Sequence, residues 1–123
     1  MRIVIVGAGA VGSYLAKRLA LEGQDIALVE SNEQRALEVQ SEIDCIVVNG
    51  NGASSSTLVK AGLADADLLI ILTEWNEFRA LDLERVAGAM ATPRLADLRN
   101  IYSAEEVAEA GFTAYASVGR RDL

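Results

Sequence analysis

The sequence contains no histidine, one cysteine, one proline and few aromatic residues, and these absences exclude several classes of protein. Its 123 residues include 5% aromatic residues. Without histidine there is no Cys/His zinc site and no histidine general base, and a single cysteine cannot form an internal disulfide. We predict no metal site. Cys45 lies in an apolar segment, so we expect a buried structural thiol rather than a nucleophile.

Positive charge is also scarce. The 11 Lys and Arg residues against 18 Asp and Glu residues give a formal net charge of -7. Proteins that bind nucleic acid or lipid headgroups carry basic clusters, and the longest basic run here is an adjacent pair, as at Arg120 and Arg121. The longest aliphatic run, residues 68–72, is far shorter than the roughly 20 residues that span a bilayer. We therefore predict no nucleic-acid partner, no direct membrane insertion and a cytoplasmic location.

Apolar segments rich in β-branched residues alternate along the chain with segments of helical period. This alternation is typical of a parallel sheet with crossover helices. The predicted strands are residues 2–6, 26–30, 45–48, 67–72, 94–98 and 113–118. The predicted helices are one that ends at Gly23 and others at residues 32–40, 57–61, 78–90 and 103–110.

Local signals support three of these helices. Val11, Leu15 and Leu19 recur every four positions and predict an amphipathic first helix with these residues on its buried face. Ser31 or Asn32 caps the second helix. Ser103 caps the last one, and a Glu three residues later completes a capping box.

The predicted fold class is therefore α/β. We expect a single doubly wound Rossmann-like domain over residues 1–123, with a six-stranded parallel sheet of order 3-2-1-4-5-6. In this topology the ligand crevice opens where strands 1 and 4 diverge.

The turn after the first strand carries the motif GxGxxG. Gly7 permits the tight turn, Gly9 lets the backbone approach a pyrophosphate, and Gly12 allows the helix to pack on its strand. The backbone N–H groups of Ala10, Val11 and Gly12 would point at the phosphates, and the positive end of the helix dipole would support them. This motif predicts a dinucleotide site.

Glu30 ends the second strand, 18 positions after Gly12, close to the spacing of about 20 expected for the acid that binds a ribose diol. A carboxylate there repels a 2′-phosphate, which favours NAD(H) over NADP(H). The alternative is a solvated strand-end Glu. Ser31 follows and is included in the predicted cofactor site. The polar loop at residues 49–54 would contact adenine or ribose, or is simply a turn built from turn-forming residues.

From residue 1 to about 73 the chain resembles the NAD-binding TrkA N-terminal (KTN/RCK) domain of potassium-transport regulators. The matching stretches are MRIVIVGAGAVGSYLAKRLALEGQDIALVE, VVNGNGASSSTLVKAGL and ADADLLIILT. The resemblance implies that Glu30 holds the adenosine ribose, that Asn51 with Gly52 contacts adenosine, and that Thr73 lies near the nicotinamide half. Asn51 replaces the Asp that is usual in the family, which keeps hydrogen bonding and removes a charge.

From about residue 66 to 120 the chain resembles the C-terminal domain of UDP-glucose and GDP-mannose dehydrogenases. The matching stretches are LLIILTEWNEFRALDLERVAGAM, RLADLRNIY and AEEVAEAGFTAYASVGR. The segment that opens this domain in the dehydrogenases, which helps to bind the nucleotide sugar, is replaced here by GAGAVG. We therefore do not infer sugar oxidation. The two resemblances meet at residues 66–73, and we hypothesise a chimera, engineered or recombined, with a front half at 1–73 and a back half at 74–123.

Together these features predict a non-catalytic NAD(H)-binding module, a monomer or weak homodimer whose partner is a dinucleotide. No catalytic constellation is visible in the sequence. Two alternatives remain open, namely a fold chimera with weak or no ligand binding and a fragment of a nucleotide-sugar dehydrogenase.

Overall fold

The computed structural model describes residues 1–72 and 81–117. In these residues it contains six strands, which are β1 (Arg2–Val6), β2 (Asp25–Glu30), β3 (Ile46–Asn49), β4 (Leu68–Ile71), β5 (Arg94–Asp97) and β6 (Ala114–Ser117). The helices are α1 (Ala10–Leu21), α2 (Glu33–Glu42), α3 (Ser55–Lys60), α4 (Leu83–Ala89) and α5 (Ala104–Ala110), with a short 3-10 helix at Leu63–Asp65.

The strands form one sheet in the order β3-β2-β1-β4-β5-β6, and every neighbouring pair is parallel. Val6 at the end of β1 lies beside Val29 of β2 and Ile71 of β4, so the carboxyl ends of these three strands lie side by side. β2, which follows β1 in the chain, lies on one side of the central pair β1 and β4, and β5, which follows β4, lies on the other side. The predicted strand order is confirmed.

Two hydrophobic cores cover the two faces of the sheet because side chains alternate along each strand. Val4 and Val6 belong to one core and Ile3 and Ile5 to the other. The first core receives buried side chains from α3, α4 and α5, and the second receives them from α1 and α2. Helices therefore pack on both faces, as a doubly wound sheet requires.

The buried face of α1 differs from the prediction. Gly12 and Ala16 are buried, Leu15 and Leu19 are partly buried, and Val11 is 65% exposed. A residue every four positions drifts by about 40° per step around a helix of 3.6 residues per turn. The small residues face the sheet instead, which allows the helix to approach β1 closely.

The helix starts follow their capping residues. Asn32, rather than Ser31, caps α2, since its Oδ1 accepts the N–H of Arg35 at 2.9 Å. The predicted capping box of α5 is confirmed by two hydrogen bonds between Ser103 and Glu106, of 2.7 and 3.2 Å.

The helix predicted at residues 78–90 is shorter within the described part of the chain. Residues 73–80 lie outside the described residues. Asp82 is not helical, because its Oδ1 accepts the N–H of Arg85 at 3.1 Å and so caps α4, which runs over Leu83–Ala89. Leu83, Val86 and Met90 are buried, as their spacing predicts.

Candidate functional site

The glycine loop connects the end of β1 to the start of α1. The N–H of Gly7 donates to the carbonyl oxygen of Val29 at 2.8 Å, which attaches the loop to β2. Gly7 has a φ of 113°, a conformation that favours glycine. A Cβ on Gly12 would overlap the carbonyl oxygen of Gly7, so close packing of the helix excludes any other residue there.

Neither a positive φ nor a lack of room for a Cβ requires a glycine at position 9. Its φ of -68° and ψ of -170° are open to any residue, and a Cβ at this position would meet no atom of the chain within 4 Å. It caps α1 without a side-chain hydrogen bond. The first N–H groups of a helix have no partner inside the helix, so this end of α1 presents unoccupied donors around an open space.

The open space is a cleft of about 470 Å³ at the carboxyl ends of the central strands. The residues predicted for cofactor binding that line it are Gly7, Gly9, Ala10, Val11, Gly12 and Glu30. Four residues that were not predicted complete its walls, and they are Arg35, Leu72, Leu98 and Arg99. The cleft therefore combines the glycine loop, the strand-end acid, apolar side chains and two arginines.

Glu30 is the acid of this cleft and is only 4% exposed. Its Oε1 accepts the N–H of Ala8 at 2.8 Å, and its Oε2 accepts the N–H of Asn32 at 2.9 Å. The carboxylate thus joins the glycine loop to the start of α2. Since an ionised carboxylate can accept about four hydrogen bonds, acceptor capacity remains for a ligand.

Arg35 lies beside this carboxylate on the first turn of α2. Its Nη1 is 3.8 Å from Oε2 of Glu30, and its side chain is 51% exposed. The sequence signal for this residue was an arginine in the first turn of the helix that follows the strand-end acid.

The far wall of the cleft depends on a second buried acid. Asp97, the last residue of β5, is fully buried. Its Oδ1 accepts the N–H of Arg99 at 3.2 Å, and its Oδ2 accepts the N–H of Tyr102 at 2.8 Å and the hydroxyl of Tyr115 at 3.1 Å. These bonds fix the turn that presents Arg99 to the cleft. Asp97 stands two residues before the arginine and was not predicted from the sequence.

Three of the remaining predicted site residues lie in the described part of the chain and occupy other positions. Ser31, Asn51 and Gly52 are not among the residues that line the cleft. The side chain of Asn51 accepts the N–H of Ala53 at 2.9 Å and so supports its own turn. Thr73 lies outside the described residues, so its role stays a prediction.

Cys45 is half-buried and packs against the core beneath α1 and α2. Burial raises the pKa of its thiol, and the carboxylate of Asp44 raises this pKa further. The thiol is therefore protonated at neutral pH and a weak nucleophile. Over residues 1–72 and 81–117, no group of three acidic or thiol side chains is placed to hold a metal ion, and no helix is both long and apolar enough to cross a membrane.

A parallel sheet of this order, with a glycine loop after β1 and an acid at the end of β2, defines a Rossmann-like domain. The family follows from the sequence. The chain belongs to the TrkA-N domain family, whose model matches residues 3–117.

Two curated relatives match different shares of the chain. TrkA of Vibrio alginolyticus, a Trk system potassium uptake protein, is 38% identical over 101 residues, which cover 81% of this chain and 22% of that protein. UDP-glucose 6-dehydrogenase of Rhizobium meliloti is 63% identical over 59 residues, which cover 48% of this chain and 13% of the dehydrogenase. Both predicted resemblances are confirmed. The chain spans less than a quarter of either relative, and the TrkA-N match extends past the predicted limit at residue 73.

Solved structures show the same fold. The TrkA-N domain of the Escherichia coli inner membrane protein YbaL superimposes with a TM-score of 0.73 and 21% identity, over 95% of this chain and 87% of that one. The GsuK channel bound to NAD gives a TM-score of 0.70 and 20% identity, over 94% of this chain and 21% of the channel. At these identities the likeness concerns the fold.

Proposed function

We propose that this TrkA-N domain binds NAD(H) in the cleft and performs no chemistry on it. It would serve as a nucleotide-sensing module of the kind found in potassium-transport regulators. The family membership, the TrkA relatives and the fold shared with an NAD-bound channel support this proposal. We expect it to act in the cytoplasm.

Gly9 is the observation that carries the proposal. Neither its backbone angles nor any neighbouring atom requires a glycine, yet the residue stands where a pyrophosphate would approach the start of α1. A ligand that needs this room explains the glycine. The N–H groups of Ala10 and Val11 would then donate to phosphate oxygens, supported by the helix dipole.

The acid at the end of β2 would bind the adenosine ribose. Glu30 lines the same cleft as the glycine loop and retains acceptor capacity for ribose hydroxyls after its two backbone hydrogen bonds. The residues that line the cleft therefore fit a dinucleotide, with its pyrophosphate at α1 and its adenosine toward β2.

Thermal unfolding with and without NADH tests the proposal, with ATP and UDP-glucose as parallel ligands. At about 100 times its dissociation constant a ligand adds roughly 2.7 kcal/mol, so we expect NADH to raise the unfolding midpoint by about 10 °C. In Gly9→Ala a hundredfold loss of affinity would reduce this rise to about 2 °C. Gly88→Ala is the matched control, because it adds the same methyl group to an open position on α4, outside the cleft.

A cooperative transition that ignores all three ligands would contradict the proposal and favour the chimera hypothesis, in which the fold survives and the site does not. A rise with UDP-glucose alone would favour the second candidate, a piece of a nucleotide-sugar dehydrogenase. The 63% identity to such an enzyme over 59 residues is the observation that supports this candidate.

Two further properties belong to the proposal. NADH absorbance should stay constant when NADH is mixed with a keto acid, and none should appear when NAD+ is mixed with a hydroxy acid or a nucleotide sugar. A steady change in either mixture would show an enzyme. Sedimentation should give a monomer or a weak homodimer.

A further inference from the structure

Arg35 is held in place through the same carboxylate that would bind the ribose. The N–H of Arg35 donates to Oδ1 of Asn32 at 2.9 Å, and the N–H of Asn32 donates to Oε2 of Glu30 at 2.9 Å. This chain of hydrogen bonds fixes the backbone beneath Arg35. The arginine side chain lines the cleft next to Glu30.

The guanidinium of Arg35 is not needed to satisfy the buried carboxylate. Each oxygen of Glu30 already accepts a backbone N–H, and the distance of 3.8 Å from Nη1 to Oε2 is at the outer limit of an ion pair. The side chain of Arg35 is half-exposed. An ion pair of this kind contributes little to stability, so the guanidinium can turn toward a ligand at small cost.

We propose that Arg35 is the specificity-determining residue at the adenosine end of the cleft and that it admits a 2′-phosphate. A carboxylate alone at the end of β2 repels such a phosphate, which is why the sequence favours NAD(H). A guanidinium next to that carboxylate supplies the opposite charge and a planar pair of donors that suits phosphate oxygens. The site then takes NADPH as well as NADH, with affinities within about tenfold of each other. This inference rests on the proposed function.

The test compares the dissociation constants of NADH and NADPH, measured from their own fluorescence on the full chain. Replacing Arg35 with Met keeps most of the apolar stem and removes the charge. Arg35→Met should therefore raise the dissociation constant of NADPH by about tenfold and that of NADH by less than about threefold. Arg35→Lys retains a charge without the planar pair of donors. Its dissociation constant for NADPH should lie between those of the wild type and Arg35→Met.

Arg85→Met provides a matched control. Arg85 occupies the same position of α4 that Arg35 occupies in α2, the third residue of a helix whose capping side chain accepts its N–H, and it is exposed and outside the cleft. Its substitution should leave both dissociation constants unchanged.

The outcomes separate the two proposals. If the wild type binds neither nucleotide, the proposed function fails and this inference fails with it. If the wild type binds NADH but binds NADPH more than a hundredfold less tightly, the inference is wrong and the proposed function stands. Equal weakening of both nucleotides in Arg35→Met would also overturn the inference, because Arg35 would then contact a part that the two share.

Discussion

The Oε1 atom of Glu30 accepts the N–H of Ala8 at 2.8 Å, and this bond joins the end of β2 to the glycine loop after β1. The same carboxylate accepts a second N–H, from the residue that caps α2. The predicted ribose-binding acid therefore also shapes the loop that would hold the pyrophosphate.

Glu30→Gln should destabilise the fold by about 1–3 kcal/mol, because an amide has one acceptor oxygen and its NH2 group would face a backbone donor in a buried site. Urea unfolding measures this loss. Glu33→Gln, on the exposed first turn of α2, is the control and should cost a few tenths of a kcal/mol at most. Equal stability of the two variants would show that the two hydrogen bonds of Glu30 contribute nothing.

Two glycines of the loop should have different roles, one in packing and the other in ligand binding. Gly12→Ala should lower the free energy of unfolding by about 3 kcal/mol, because the added methyl overlaps a backbone oxygen that cannot move away freely. Gly9→Ala should change it by no more than about 1 kcal/mol, since the added methyl meets no atom of the chain. Urea unfolding without ligand tests both values, and a large loss in Gly9→Ala would show that Gly9 has a structural role.

Asp97, the buried acid at the end of β5, should also contribute to the stability of the fold. Asp97→Asn should cost about 2 kcal/mol, because three donors surround a carboxylate that would become an amide. Tyr115→Phe should cost about 1 kcal/mol, and the double variant should cost less than the sum because the two residues share a hydrogen bond. Asp82→Asn is the control, since Asn caps a helix as well as Asp does. A strictly additive double variant would contradict the coupling.

The stability of the fold should depend on acid pH through Asp67, which lies at the amino end of β4, opposite the cleft. The hydroxyl of Thr92 donates to Asp67 at 2.8 Å and the N–H of Arg2 donates at 3.3 Å, and these bonds hold the pKa of Asp67 below its ordinary 3.8. A lowered pKa in the folded state adds stability that is complete above the unfolded value and lost as the pH falls through the folded one. Stability from this source should therefore decline below about pH 3.8.

Thr92→Val should remove part of this contribution. We expect it to be less stable than the wild type at pH 7 and to approach the wild type as the pH falls below about 3.8. Thr113→Val is the control, because its hydroxyl donates at 3.1 Å to the carbonyl oxygen of Pro93, which does not titrate. A difference for Thr92→Val that stays constant across this pH range would contradict the assignment.

The strand order and the glycine loop could be predicted because their signals are local. Alternating apolar and helical segments set the elements, and the right-handed crossover rule then leaves few topologies. The capping pair of Ser103 and Glu106 could likewise be found from sequence, since each residue recognises a backbone group three positions away.

The remaining features depend on tertiary contacts. Val11 was placed on the wrong face because a four-residue repeat drifts around the helix, and the close approach of α1 to β1 selects the small residues instead. Arg35 follows β2 and Arg99 follows β5, so the two arginines come to one cleft from opposite halves of the sheet. The place of Arg35 after the strand-end acid is a local signal, but no spacing in the sequence encodes that the two residues meet. Asp97 is similar, because its donors come from both the following turn and β6.

The pairing of β1 with β4 has a consequence for how the chain is made. Ile3 lies beside Leu68, so the two strands that flank the cleft are 65 residues apart in sequence. Closing so long a loop is slow, and on the ribosome it cannot begin until β4 has left the exit tunnel. β1, β2 and β3 can associate earlier. The cleft would therefore form only after Leu72, which lines it directly after β4, has emerged as well.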